Sequence, residues 1–143
     1  MIRPATANDI EAIVALGVEF AIKSQPVHTM SVNVEKIKMV VTSAITSDDA
    51  ILLVSDIDGK VEGIIFGLIL PSYFSDDKIL QELALYSKKN RGGLELIDTF
   101  EKEARLRGIH KIIVGSKPDF YDLKKIYERK GYKLLETQYI KEI

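Results

Sequence analysis

Cysteine is absent from the 143 residues. That excludes disulfides, thiolate metal ligands and a cysteine nucleophile, and it suits a reducing cytoplasmic location, which is the expectation here. Histidine is nearly as scarce. His28 and His110 stand far apart in sequence, so no His-rich metal site and no metal are expected. Charge of one sign is also missing. The formal net charge is −1, and without a basic excess neither nucleic acid nor a membrane surface is an expected partner. The longest apolar stretch, residues 64–70, is far too short to span a bilayer. Met1-Ile2-Arg3-Pro4 reads directly into structure and carries no signal peptide. Repeats, low-complexity runs and linkers are absent too, so one domain over 1–143 is expected. A chain of this length can bury enough surface to fold without a metal or a cross-link.

What is there alternates between helical and strand patterns. Ile2-Arg3-Pro4-Ala5 reads as a short first strand, and Thr6 with Asp9 three residues on makes a capping box for a helix carrying Ile10, Ile13, Val14 and Val18. Ser24-Gln25-Pro26 breaks that pattern. Asn33 caps a second helix whose apolar face is Ile37, Val40, Val41, Ala44 and Ile45. Residues 50–57 and 61–70 read as strands joined by a tight Asp58-Gly59 turn, with Gly63 and Gly67 marking a bulge or a close backbone approach. Ser75-Asp76-Asp77 turns the chain into a third strand, 79–86. A basic, glycine-bearing loop, 87–93, leads into a helix over 94–107 with Leu96, Ile97, Phe100 and Ala104 inward and Gly108 at its end. Residues 111–114 form a short buried strand. Pro118-Asp119 opens a last helix carrying Phe120, Leu123, Ile126 and Tyr127, closed by Gly131, and 132–135 and 137–143 read as two closing strands. The order β-α-α-β-β-β-α-β-α-β-β is a mixed α/β sheet with helices on its faces.

The unit from Glu82 to Arg107 carries the most chemistry. A helix N-terminus presents free backbone N–H groups and partial positive charge. Glycines in front of it let an anion approach, and Lys88, Lys89 and Arg91 add formal charge. Together these make a pyrophosphate cradle, although a tight solvated turn explains the same residues. Neither the Walker pattern nor Gly-x-Gly-x-x-Gly is present. Near the C-terminus, Ile126-Tyr127-Glu128-Arg129-Lys130-Gly131-Tyr132 places Tyr127 on the apolar stripe of a helix, where a packed core tyrosine is the plainer reading.

Taken in this order and separation, the two segments resemble the GNAT family of N-acyltransferases. That family has a strand running into an Arg/Gln-x-x-Gly-x-Gly/Ala loop and a later helix ending like Leu-Tyr-Glu-Lys-x-Gly-Phe. The opening Ile2-Arg3-Pro4-Ala5-Thr6-Ala7-Asn8-Asp9 and the hairpin Asp58-Gly59 with Val61-Glu62-Gly63 are also similar to it, so the resemblance covers nearly the whole chain. Glu82-Leu83 ahead of Arg91-Gly92-Gly93, and the ending Gln138-Tyr139-Ile140-Lys141, look most like the small GNAT proteins of phages and prophages.

The resemblance implies an acetyl-CoA-dependent N-acetyltransferase acting on an unidentified small-molecule or protein amine by direct attack, with dimerisation common in the family. It implies that two splayed parallel strands, 79–86 and 111–114, admit the pantetheine arm. Backbone groups near Leu85 and Tyr86 would hold that arm, N–H groups of Asn90, Arg91, Gly92 and Gly93 the pyrophosphate, and Lys88 and Lys89 the phosphates. It assigns Tyr127 as general acid for the departing thiolate. Glu82 is the first choice of general base, with Glu62, Glu136 or a water chain as alternatives. His28, Tyr73 and Phe74 are candidates for touching the acceptor. Leu94 and Leu96 stand where the family has small residues. They motivate the alternative of a GNAT-fold binding or regulatory module without catalysis. An unrelated α/β nucleotide-binding domain is a third reading.

Overall fold

Asp58 and Gly59 both take positive φ, 53° and 79°, the backbone that a two-residue hairpin turn requires. They join β2 (Ala50–Ile57) to β3 (Lys60–Pro71), as the sequence predicts. The computed structural model describes residues 1–24, 31–88 and 92–143. Within them, β1 (Ile2–Pro4), a single 3-10 turn (Ala7–Asp9), α1 (Ile10–Ser24) and α2 (Val34–Thr46) precede the hairpin, and β4 (Lys78–Ser87), α3 (Gly93–Leu106), β5 (Lys111–Ile113) and α4 (Lys124–Arg129) follow it. None of these helices is long and apolar enough to cross a membrane.

The five strands lie in one sheet in the order β1-β2-β3-β4-β5. The first four are antiparallel to their neighbours. Only β4 and β5 run parallel, which forces the crossover that α3 supplies. Each face of the sheet has its own core. One gathers Leu80 and Leu85 of β4 with Leu96, Ile97, Phe100 and Ala104 of α3 and with Leu123 and Tyr127. The other gathers Tyr86 with Ile13, Val14 and Leu16 of α1 and Val41 and Ala44 of α2. The inward face expected for α3 is thus the one observed. Gly67 shows why a glycine stands in β3. A Cβ there would come within 2.5 Å of the Phe100 ring and 2.8 Å of the Gln81 carbonyl oxygen. The register with β4 also slips at this point.

The start of the chain is tied down electrostatically. Arg3 grips Asp9 with two bonds of 2.7 and 2.9 Å and reaches Asp56 at 3.0 Å. Asp9 also accepts the backbone N–H of Thr6 at 2.8 Å. Hydrogen bonding to Arg3 outweighs burial and pulls the Asp9 carboxyl down to about 2. A depressed carboxylate stabilises the fold above its unfolded pKa and loses that contribution as pH falls. Arg3→Met is therefore expected to cost about 2 kcal/mol at pH 7, because it strands a buried carboxylate. The deficit should narrow between pH 4 and pH 2. Urea unfolding at both ends of that range checks this, and a deficit independent of pH would contradict it.

Two expectations near the C-terminus are corrected. The last helix does not open at Pro118-Asp119. Residues 117–121 make a turn closed by a Lys117–Tyr121 bridge, and α4 starts only at Lys124. Ser116 Oγ accepts the N–H of Leu123 at 2.9 Å and Asp122 that of Lys124 at 3.2 Å, capping the helix later than expected. The closing strands over 132–135 and 137–143 are not formed. Alternating apolar residues make a strand only beside a partner edge. Here the chain past Tyr132 meets no such edge, and Leu134, Leu135, Tyr139 and Ile140 stay exposed.

Candidate active site

The parallel ladder is short. β4 pairs with β5 only through Ile79, Leu80 and Gln81, opposite Lys111, Ile112 and Ile113. Beyond that point the two strands part. Among the described residues no backbone group pairs with the β5-side edge of β4 from Glu82 to Ser87. A bulge falls at the point of divergence. Phe66 faces Ala84 and Gly67 faces Glu82, so Leu83 has no residue opposite it. A strand edge left open in this way offers hydrogen bonds to any extended ligand that can reach it. The resemblance implies a splay between residues 79–86 and 111–114, and the ladder ends inside that stretch, after Gln81 and Ile113. The side chains of Leu85 and Tyr86 are buried, one in each core, so backbone is what the edge presents.

Tyr127 lies in the α3-side core, near enough to Glu82 of β4 to feel its charge. Tyr127 is 6% exposed, and its buried hydroxyl has no hydrogen-bond partner among the described residues. Burial raises its pKa, and the nearby charge of Glu82 raises it further, so the phenol holds its proton at any physiological pH. The helix that carries it is pinned to α3. Lys130 pairs with Asp98 and Glu101, and Tyr132 donates to Glu101 at 3.0 Å. Gly131, at φ +91°, lets the chain reverse there. A buried hydroxyl without a partner costs about 1–3 kcal/mol and points to a role beyond packing. Glu82 accepts the N–H of Gly115 at 3.0 Å across the mouth of the splay. Burial lifts its carboxyl to about 7, against smaller downward pulls from that N–H and from Lys117. A carboxyl that changes charge near neutral pH is suited to accepting a proton.

The start of α3 lies at the end of β4. Gly92, at φ +79°, caps it, and a Cβ at Gly92 would come within 2.5 Å of Ser55 Oγ. Glycine is required there on both counts. Gly93 begins the helix. Leu96 is fully buried in the core, while Leu94 is 53% exposed in the first turn. Of these two leucines, only Leu94 is open to solvent at the start of the helix. Lys88 is exposed and pairs with Glu19 at 3.7 Å. Lys89, Asn90, Arg91 and His28 lie outside the described residues.

The remaining candidates are not brought to this place. Tyr73 and Phe74 are 96% and 98% exposed, in the turn beyond Pro71 and Lys78 at the other end of β4. Glu136 is exposed and accepts a bond from Gln138. Glu62 lies on β3 beside Gly63, whose partner in the register is Ser87. The sequence reading missed Gly115 and Lys117, which adjust Glu82. It also missed a group on the α1 side. Tyr86 donates to Glu19 at 2.9 Å, accepts from Lys23 at 3.1 Å, and stacks on Phe120 with ring centroids 6.2 Å apart. Pro118-Asp119 was the available signal, since that pair also favours a turn.

No protein-family model matches the sequence, and no curated protein matches it. Solved structures do match. A glucosamine-6-phosphate N-acetyltransferase from Arabidopsis thaliana superposes with TM-score 0.74 at 18% identity, over 99% of this chain and 97% of its own. A GNAT family acetyltransferase from Staphylococcus aureus gives 0.72 at 17%, over 100% and 98%. The chain has the GNAT fold. An acetyltransferase from Clostridium acetobutylicum, solved with acetyl-CoA, gives 0.78 at 13% identity over 99% and 95% of the two chains. The mixed sheet flanked by helices is the architecture shared with these GNAT structures, and it agrees with the fold class expected from sequence.

Proposed function

We propose that the chain is an acetyl-CoA-dependent N-acyltransferase acting on a small-molecule or protein amine. The observation that carries this reading is the buried hydroxyl of Tyr127, unpaired among the described residues and near enough to Glu82 of β4 to feel its charge. The GNAT fold and the acetyl-CoA bound by one structural neighbour support it. The chain's own residues fit such a cosubstrate. The edge of β4 past Gln81 offers backbone bonds to an extended arm, and the N-terminus of α3, capped by Gly92, follows at the end of that strand. Acetyl-CoA would supply an activated acyl group.

The protein's part is then positioning and proton handling. Holding the amine against the acyl carbon removes much of the entropic barrier. Glu82 takes the proton that the amine nitrogen loses as its bond to carbon forms. Tyr127 gives its hydroxyl proton to the sulfur as the carbon–sulfur bond breaks. Each group ends one proton changed, and solvent restores both.

The test is incubation of the purified chain with acetyl-CoA and a panel of primary amines. Free thiol is followed with time and the amine product by mass spectrometry. Saturable, amine-dependent thiol release is expected. If acetyl-CoA binds but no amine is acylated, the transferase reading falls in favour of a binding module.

A further inference from the structure

The open edge of β4 is not bare. Residues 115–122, between β5 and α4, run along it and attach at three points among the described residues. The N–H of Gly115 binds Glu82 at 3.0 Å. Tyr121 Oη lies 3.0 Å from Ser87 Oγ. The ring of Phe120 stacks on Tyr86 at an interplanar angle of 22° and meets Phe20 of α1 edge-on, 6.2 Å away.

The faces on which these contacts fall locate the segment. Tyr86 belongs to the α1 side of the sheet. Ser87 belongs to the α3 side, since a Cβ on Gly63 would touch both Ser87 and Leu96. Phe120 therefore reaches the α1 face and Tyr121 the α3 face. Two successive residues that reach opposite faces of a sheet, beside two successive residues of an edge strand, occupy the place of the next strand. Yet no ladder hydrogen bond joins them to β4 among the described residues. The segment is held by side chains and by its own turn. In that turn the N–H groups of Phe120 and Tyr121 bond the carbonyl of Lys117 at 2.9 and 2.7 Å.

We propose that residues 115–122 are a gate on the β4 edge, with Phe120 and Tyr121 as its latch, and that the gate must leave before an extended cosubstrate arm can pair there. This rests on the reading of the chain as a CoA-dependent acyltransferase. The gate occupies the backbone edge that the pantetheine arm needs, so binding competes with the latch. Apparent affinity is then the intrinsic affinity reduced by the fraction of molecules with the gate open. Weakening the latch must tighten binding, the reverse of what loss of a ligand contact does.

The experiment is calorimetric titration of CoA into wild type, Phe120→Ala and Ser87→Ala, the last removing the latch from the strand side. Thermal melts confirm that each variant is folded. Amide hydrogen exchange of wild type with and without CoA accompanies the titrations, so the gate stays testable if a variant fails to fold. The expected result is CoA binding about tenfold tighter in Phe120→Ala, a smaller gain in Ser87→Ala, and faster exchange at residues 117–121 when CoA is present. Unchanged or weaker binding in a folded variant, or slower exchange in that segment, overturns the gate and leaves the cosubstrate reading intact. Absence of CoA binding in all three proteins overturns that reading, and the gate with it.

Discussion

Tyr127→Phe is expected to lower turnover on a confirmed amine by about 10²- to 10³-fold while leaving the protein at least as stable as wild type. The two halves of this result have one cause. The hydroxyl is buried and bonds to nothing among the described residues. Removing it deletes an unsatisfied polar atom and keeps the ring packed against Tyr132, so about 1 kcal/mol of stability should be gained. The same deletion removes the proton destined for the sulfur. A purely structural tyrosine gives the opposite pattern, a small loss of stability and unchanged turnover. Thermal melts and steady-state rates on one preparation separate the two. Full activity in the variant would end the assignment of Tyr127 as general acid.

Glu82→Gln is expected to act on rate and on stability, each with a pH signature. In wild type the carboxyl ionises at about 7. The rate should climb through that region as the base becomes available, and the variant should lose the climb along with about 10²-fold in kcat. For stability the sign follows from the native pKa lying above the ordinary 4.5. The native state holds a proton that the unfolded chain has released, so this group's contribution to stability is fully present below pH 4.5 and is lost as pH rises through 7. The full difference amounts to about 3 kcal/mol. Glutamine carries no charge to bury, so the variant should unfold at nearly the same urea concentration at pH 5 and pH 8. At pH 8 it should outlast wild type. Equal pH slopes in the two proteins would place the ionisation elsewhere.

What was legible in the sequence was what local chemistry decides. The Asp58-Gly59 turn needs positive φ, and the inward face of α3 follows from helical spacing. Tyr127 could be placed on its helix because that stripe is continuous with Leu123. Non-local commitments were not legible. Phe120 sits at helical spacing from Leu123 and Tyr127, yet its ring is drawn to Tyr86 and Phe20 on other elements, and the first turn of the expected helix is given up to that contact. Glu82 was singled out by its place before the basic loop. What adjusts it, burial that raises its pKa against a smaller downward pull from the N–H of Gly115, involves a residue 33 positions away. The C-terminal alternation was legible as a pattern only, since pairing depends on an edge that the pattern does not specify.

The unmatched Leu83 has one further consequence. Side chains along an uninterrupted strand keep strict parity, so Leu80, Glu82, Ala84 and Tyr86 would all look the same way. The extra residue shifts the phase by one. Leu80 and Glu82 now share a side with Leu85 and Ser87, whereas Ala84 and Tyr86 look towards α1. A single strand thus addresses two compartments in succession, delivering the carboxylate to one and the phenol of Tyr86 to the other. Parity is the quantity under constraint at position 83. Many side chains could stand there, and an in-frame loss of the residue would leave Glu82 and Tyr86 on opposite faces as they are now; it is pairing Leu83 into a regular ladder that would send Tyr86 to the side of the sheet where Tyr127 lies.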